Sequence, residues 1–217
     1  LLVVGLRLGC LNHALLSAES IIRRVPLVGW IANRLPPEQP LWADNIATLT
    51  LHRPEKMNAL TKDMYAELAR LLNEANGDFG IRAVILSSVG DNFTSGNDIM
   101  DFMSNPPTSE DSTVAAFLGS LLNFTKPLIA SVRGHAVGVG TTMLLHCDVV
   151  IADESAKFSM PFTSLGLVPE AGSSMLFPAL VGYQRAAKIF LTGEEFSPQY
   201  AREIGLVAEV VADAEAQ

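Results

Sequence analysis

One pattern constrains the fold of this chain more than any other. Between residues 45 and 153, short runs of β-branched and aliphatic residues alternate with stretches whose apolar residues recur at helical spacing. "NIATLTL" (45–51), "AVILSS" (83–88), "LIASVR" (128–133) and "DVVIAD" (148–153) each have the length and composition of a strand. Between the first two, Thr61 stands as a helix cap, followed by Met64, Leu68, Leu71, Leu72 and Ala75 on one helical face. Val114, Phe117, Leu118, Leu121 and Leu122 mark a second amphipathic helix, and a glycine-rich turn leads into another before the fourth run. Strands that alternate with helices imply an α/β fold with crossover connections. From Ala171 onward the pattern is mainly helical and closes on "LVAEVV". No internal repeat or low-complexity segment is evident.

The first forty residues read differently. "LLVVGLRLGCLNHALL" is apolar but is interrupted by Arg7, Asn12 and His13, too broken for a membrane span. It lacks the cleavage pattern of a signal peptide, so an amphipathic or packing helix is expected there. "RLPPEQP" (34–40) then reads as a linker. The expected division is an N-terminal appendage with a Pro-rich linker over residues 1–41 and a main domain over 42–217. The chain begins with Leu1 rather than Met, which suggests a fragment or a processed product.

Charge and cysteine usage narrow the function classes. The formal net charge of −8 and the lack of a basic stripe argue against nucleic-acid binding. Cys10 and Cys147 have neither disulfide-framework nor metal-ligand spacing, and His13, His52, His135 and His146 show no ligand spacing. A reduced, cytoplasmic setting is expected, with no metal site and no stable membrane association.

Two loops directly follow strand runs, where α/β folds build their sites. In "FTSGND" (93–98), Gly96 permits a tight turn that leaves the Asn97 amide free to point into a cleft. "GHAVGVG" (134–140) leads into a helix whose first N–H groups have no partner within it. Two converging backbone donors are the minimum for holding an oxyanion. The second loop is neither G-x-G-x-x-G, since Met143 occupies the third position, nor a phosphate loop, since it has no lysine. An uncharged stretch, "GLVPEAGSS" (166–174), carries one carboxylate, Glu170, which is either a helix-start charge or a catalytic group.

The order of these segments is more telling than any one of them. "RPEKMNAL" (53–60), "FTSGND", "KPLIASVRGHAVGVG" (126–140) and "CDVVIADESAKFSMPFTSLGLVPEAGSS" (147–174) together closely resemble the crotonase, or enoyl-CoA hydratase/isomerase, superfamily. The resemblance runs from about Asp44 to Val211. It implies a crotonase-like ββα spiral core with a mainly helical C-terminal part, its last helices truncated here. It also implies an acyl-CoA thioester substrate, no cofactor beyond the CoA of that substrate, a place in fatty-acid β-oxidation, and a homotrimer or dimer of trimers at full length.

Carried over position by position, the resemblance implies that the Asn97 and Val139 N–H groups hold the thioester oxygen. Lys56, Met57, Ala59 and Leu60 fall in the CoA-holding stretch, where Lys56 is a CoA neighbour or an exposed turn lysine. Met57, Ala59 and Leu60 line the adenine or fill the core. Ser95, Gly96 and Asp98 belong to the adenine-side loop, Asp98 being equally a helix cap. Gly138, Thr142, Phe162 and Leu167 border the acyl site.

Family members that hydrate enoyl-CoA carry two glutamates, one where this chain has Thr142 and one where it has Phe162. Both are absent. A glutamate after the proline of "LGLVPEAGSS" resembles the base of Δ3,Δ2-enoyl-CoA isomerases, which makes Glu170 the expected catalytic residue. Hydratase or other acyl-CoA chemistry, including an aromatic-pathway thioester, and a non-catalytic acyl-CoA-binding module stand as alternatives. Among the other polar groups, Asp148 is expected to be a structural acceptor. Arg133 is expected to meet either a CoA phosphate or a nearby acid.

Overall fold

The computed structural model describes residues 2–5, 30–33, 45–104 and 112–212. The expected Pro-rich linker at 34–40, Cys10 and His13 lie outside the described residues. Two short strands, β1 (Leu2–Gly5) and β2 (Trp30–Asn33), pair in parallel. The helix expected at the N-terminus is thus a strand over Leu2–Gly5. A short Leu-Val run reads equally well in either period, and only pairing with β2 decides it.

The main sheet is entirely parallel, in the order β3 (Ile46–Leu51), β4 (Ala83–Ser88), β5 (Leu128–Val132), β7 (Val149–Asp153) and β9 (Glu209–Val211). The four strand-length runs of the sequence become β3, β4, β5 and β7. "LVAEVV" contributes the edge strand β9, which pairs with β7 from Ile151↔Glu209 to Asp153↔Val211.

A second, smaller layer has no strand-length run of its own in the sequence. Strands β6 (His135–Val137) and β8 (Lys157–Ser159) pair in parallel, and isolated bridges extend them on both sides. Leu60 bridges Asn97, Thr94 bridges Ala136, and Phe158 bridges Phe196. Each of β3, β4, β5 and β7 is therefore followed by a short segment in this layer, at Leu60, Thr94–Asn97, β6 and β8. A helix or helical turn follows each segment in turn. This is the ββα spiral that the family resemblance implied. Three residues per strand are too few to show an alternating pattern, so the layer leaves no trace in hydropathy.

Helix α1 (Lys62–Gly77) starts at the expected cap, with Thr61 Oγ1 accepting from Met64 N at 3.3 Å. Short α2 (Ile99–Ser104) is capped by Asp98 Oδ1, which accepts from the N–H groups of Met100 and Asp101. Helix α3 (Thr113–Leu122) packs on α1, and the Tyr65 and Phe117 rings meet at 5.4 Å. The one-turn α4 (Val139–Thr142) continues into a 3-10 turn at Met143–His146. Three helices close the described chain: α5 (Ser173–Val181), α6 (Tyr183–Thr192) and α7 (Pro198–Glu203). The core between sheet and helices is sealed by Val84, Phe117, Ala130, Val132, Phe158 and Phe177, none measurably exposed. Burial of this much apolar surface is the main force holding the two layers together.

Candidate active site

The site is built where the small layer ends. Thr94 N donates to His135 O and Val137 N donates to Thr94 O, at 2.9 and 3.0 Å, which locks the two loops in register. Asn97 lies three residues beyond Thr94, and Val139 three beyond its partner Ala136. The two residues therefore leave the layer side by side.

Glycines permit this closeness. A Cβ on Gly96, whose φ is +88°, would stand 2.8 Å from Val137 O, and one on Gly140 would stand 2.5 Å from Thr94 Cγ2. Gly138, at φ +56°, makes the turn into α4.

Both candidate amides are unpaired. Gly96 O accepts from Leu60 N and Asp98 N donates to Leu60 O, yet the intervening Asn97 N–H has no acceptor among the described residues. Gly138 N donates to Ser159 O, and Thr141 and Thr142 N–H bond back to Gly138 O. Val139 N–H likewise has no acceptor among the described residues. Two free N–H groups on adjacent rigid loops can hold a negatively charged oxygen.

Glu170 sits in the loop before α5, two residues ahead of the cap Gly172, and its backbone carbonyl accepts from Ser173 N at 2.9 Å. It is outside the helix, so the helix-start role is at most partial. The carboxyl is partly buried, and loss of hydration pushes its pKa up to about 7. Positive φ at Ala171 (55°) and Gly172 (66°) shapes this turn. His146 Nε2 lies 2.9 Å from Ala171 O, which ties the turn to the segment following α4.

Tyr65 holds the Asn97 side chain, and the sequence reading did not single it out. Its hydroxyl donates to Asn97 Oδ1 at 2.5 Å. Its pKa is raised, first by burial and then by the negative charge of Glu170. Tyr65 lies on the buried face of α1, where its helical spacing reads as core alone.

The remaining expected residues fall into two groups. Ser95 N donates to Met57 O at 2.9 Å, so the Lys56–Met57 turn and the Ser95 loop are adjacent, with Lys56 exposed and Met57 half exposed. Beneath them Ala59 and Leu60 are buried in the core. Asp98 is held by Arg53 at 2.7 Å and caps α2, and the guanidinium lowers its pKa. Thr142 and Phe162 are buried and Leu167 is exposed near Glu170 in the chain. Arg133 faces Asp153, with Nε 3.6 Å from Oδ2. Asp148 accepts from Leu128 N.

Asn58 is a further structural residue. Fully buried at φ 53°, it accepts from Arg53 N and donates to Val89 O and Asn92 O. Burial pushes the Cys147 thiol up to about 12, which keeps it unreactive. Among the described residues, no group of three His, Cys, Asp or Glu is placed to hold a metal ion. No helix among them is long and apolar enough to cross a membrane.

The family model described as "Enoyl-CoA hydratase/isomerase" matches residues 42–217. The chain belongs to the enoyl-CoA hydratase/isomerase family. It is 38% identical over 175 residues to 1,2-epoxyphenylacetyl-CoA isomerase of Escherichia coli K12, covering 77% of this chain and 67% of that protein. It is 36% identical over 177 residues to human enoyl-CoA delta isomerase 2, covering 78% of this chain but 45% of that one. The crystal structure of an enoyl-CoA hydratase/isomerase from Pseudoalteromonas atlantica T6c superposes with a TM-score of 0.75 at 45% identity, over 78% of this chain and 68% of that one. Proteins named as hydratases match at 36 and 37% identity. Family membership alone therefore leaves the reaction open, and the acid–base groups have to be weighed.

Proposed function

We propose that this family member is an isomerase that moves the double bond of a 3-enoyl-CoA thioester to the 2-position. One observation carries the reading. Of the described carboxylates, Glu170 is the one whose pKa burial raises into the neutral range, and the two hydratase positions hold Thr142 and Phe162.

Glu170 removes a proton from C2, and the electron pair moves through the thioester to its oxygen. The dienolate oxygen is held by the N–H groups of Asn97 and Val139. The protonated Glu170 then delivers the same proton to C4, and the double bond settles between C2 and C3. No atom is gained or lost, so one carboxyl group that visits both carbons is sufficient. A carboxyl poised near pKa 7 is better matched to a weakly acidic C–H than an ordinary glutamate. The Lys56–Met57 turn and Ser95 form the side from which CoA enters. The relatives named as delta isomerases agree with this chemistry.

The test is turnover of 3-hexenoyl-CoA, followed by the absorbance of the conjugated product. Hydration of 2-hexenoyl-CoA at a comparable or higher rate, or binding of thioester without either reaction, would replace the proposal.

A further inference from the structure

We infer that the Asn97 side chain supplies a third hydrogen-bond donor to the bound thioester, and that Tyr65 is the positioning residue that orients it. The inference rests on the acyl-CoA reading of the site but not on Glu170 being the base.

The asparagine amide has two faces, one accepting and one donating. Tyr65, buried on α1, takes the accepting face through its 2.5 Å bond to Oδ1. Rotation that would exchange oxygen and nitrogen would make the phenol oxygen accept from Nδ2 and leave the buried Tyr65 proton without this acceptor. The donating Nδ2 has no partner among the described residues. The described side-chain atoms that are sealed from solvent without a partner are Ser88 Oγ and Ser173 Oγ. Asn97 Nδ2 therefore opens onto accessible space.

The nitrogen is thus unpaired and reachable on the same residue that carries one of the two unpaired backbone N–H groups. The flanking bonds of Gly96 and Asp98 to Leu60 fix the backbone, so the side chain starts from a rigid base. A tyrosine whose ionisation is suppressed by burial and by the Glu170 charge remains a donor throughout the pH range of turnover. Preorganised donors of this kind act where charge develops.

The test combines Tyr65→Phe, Asn97→Ala and their double variant with a chromophoric aryl-enoyl-CoA, whose absorption moves to the red when its carbonyl is polarised. Asn97→Ala keeps the backbone N–H and should lose roughly tenfold in kcat, with part of the red shift lost and KM changed less than about threefold. Tyr65→Phe should show the same pattern in weaker form. The double variant should match Asn97→Ala within about twofold, because Tyr65 acts through Asn97. Asn97→Asp, which keeps the Tyr65 bond but donates nothing, should lose roughly a hundredfold or more. Unchanged kcat and red shift in Asn97→Ala would overturn the inference, as would additive losses in the double variant. The red shift needs no turnover, so it judges Asn97 and Tyr65 even if Glu170→Gln retains full activity and the base assignment fails.

Discussion

His146 Nε2 stands 2.9 Å from the carbonyl oxygen of Ala171, and through that contact the loop carrying Glu170 is fastened to the segment that follows Val139. The proposed acid–base group and one proposed oxyanion donor thus share a support. To donate to the carbonyl, His146 must hold its proton on Nε2. Removal of the ring in His146→Ala frees the loop while leaving Glu170 intact. A displacement of about 1 Å is enough to cost up to a hundredfold in rate, so kcat is expected to fall roughly ten- to a hundredfold. CoA-thioester affinity, measured by calorimetry, should change little. Unchanged kcat would show that the loop keeps its place without this bond.

Glu170→Gln removes the proposed proton acceptor and little volume. A general base contributes about 10²–10⁴-fold, and isomerisation of 3-hexenoyl-CoA is expected to drop within or beyond that range. Affinity for a non-isomerisable saturated acyl-CoA should persist. Activity at the wild-type level would move the base elsewhere.

The raised pKa of Glu170 gives two linked pH dependences. With a value near 7 in place of 4.5, kcat/KM should rise with pH and level off above neutrality. For stability the sign is opposite. The folded state holds this proton more tightly than the unfolded chain, so the stabilisation is present below the ordinary carboxyl range and is lost as pH rises through about 7. Glu170→Gln never ionises and should be more stable than wild type above pH 7, by on the order of 2–3 kcal/mol. The gap should close toward pH 4–5 in urea unfolding, and a gap independent of pH would contradict the assignment.

Gly96→Ala tests the contact between the two loops. Its φ of +88° disfavours any side chain, and the new methyl would meet Val137 O at 2.8 Å. A destabilisation of about 1–3 kcal/mol should appear in thermal unfolding, together with a loss of kcat as Asn97 shifts away from Val139. Wild-type kcat in this variant would mean that the spacing of the two amides is not critical.

Asn58→Ala should cost stability without touching the chemistry directly. It strands Arg53 N and the carbonyls of Val89 and Asn92 in or near the core. The expected loss is about 2–4 kcal/mol, read from the urea midpoint. A loss below about 1 kcal/mol would show that water replaces the amide.

The linear pattern of residues determined four of the five strands of the main sheet, the helix at Thr61 with its cap, and the two loops that hold Asn97 and Val139. Those features depend on local spacing and backbone chemistry, which sequence records directly. It also marked Glu170, because a carboxylate in an uncharged stretch stands out against its neighbours. The second layer was legible only through the family resemblance, because its strands are three residues or single bridges, shorter than any period that hydropathy can display. Tyr65 and His146 were passed over for a related reason. Tyr65 reads as one more apolar position on α1, and His146 as a lone histidine, since their partners lie 32 and 25 residues away. Only folding decides which side chain meets a polar group far along the chain. Here it brought the phenol to the asparagine and the histidine to the carboxylate loop.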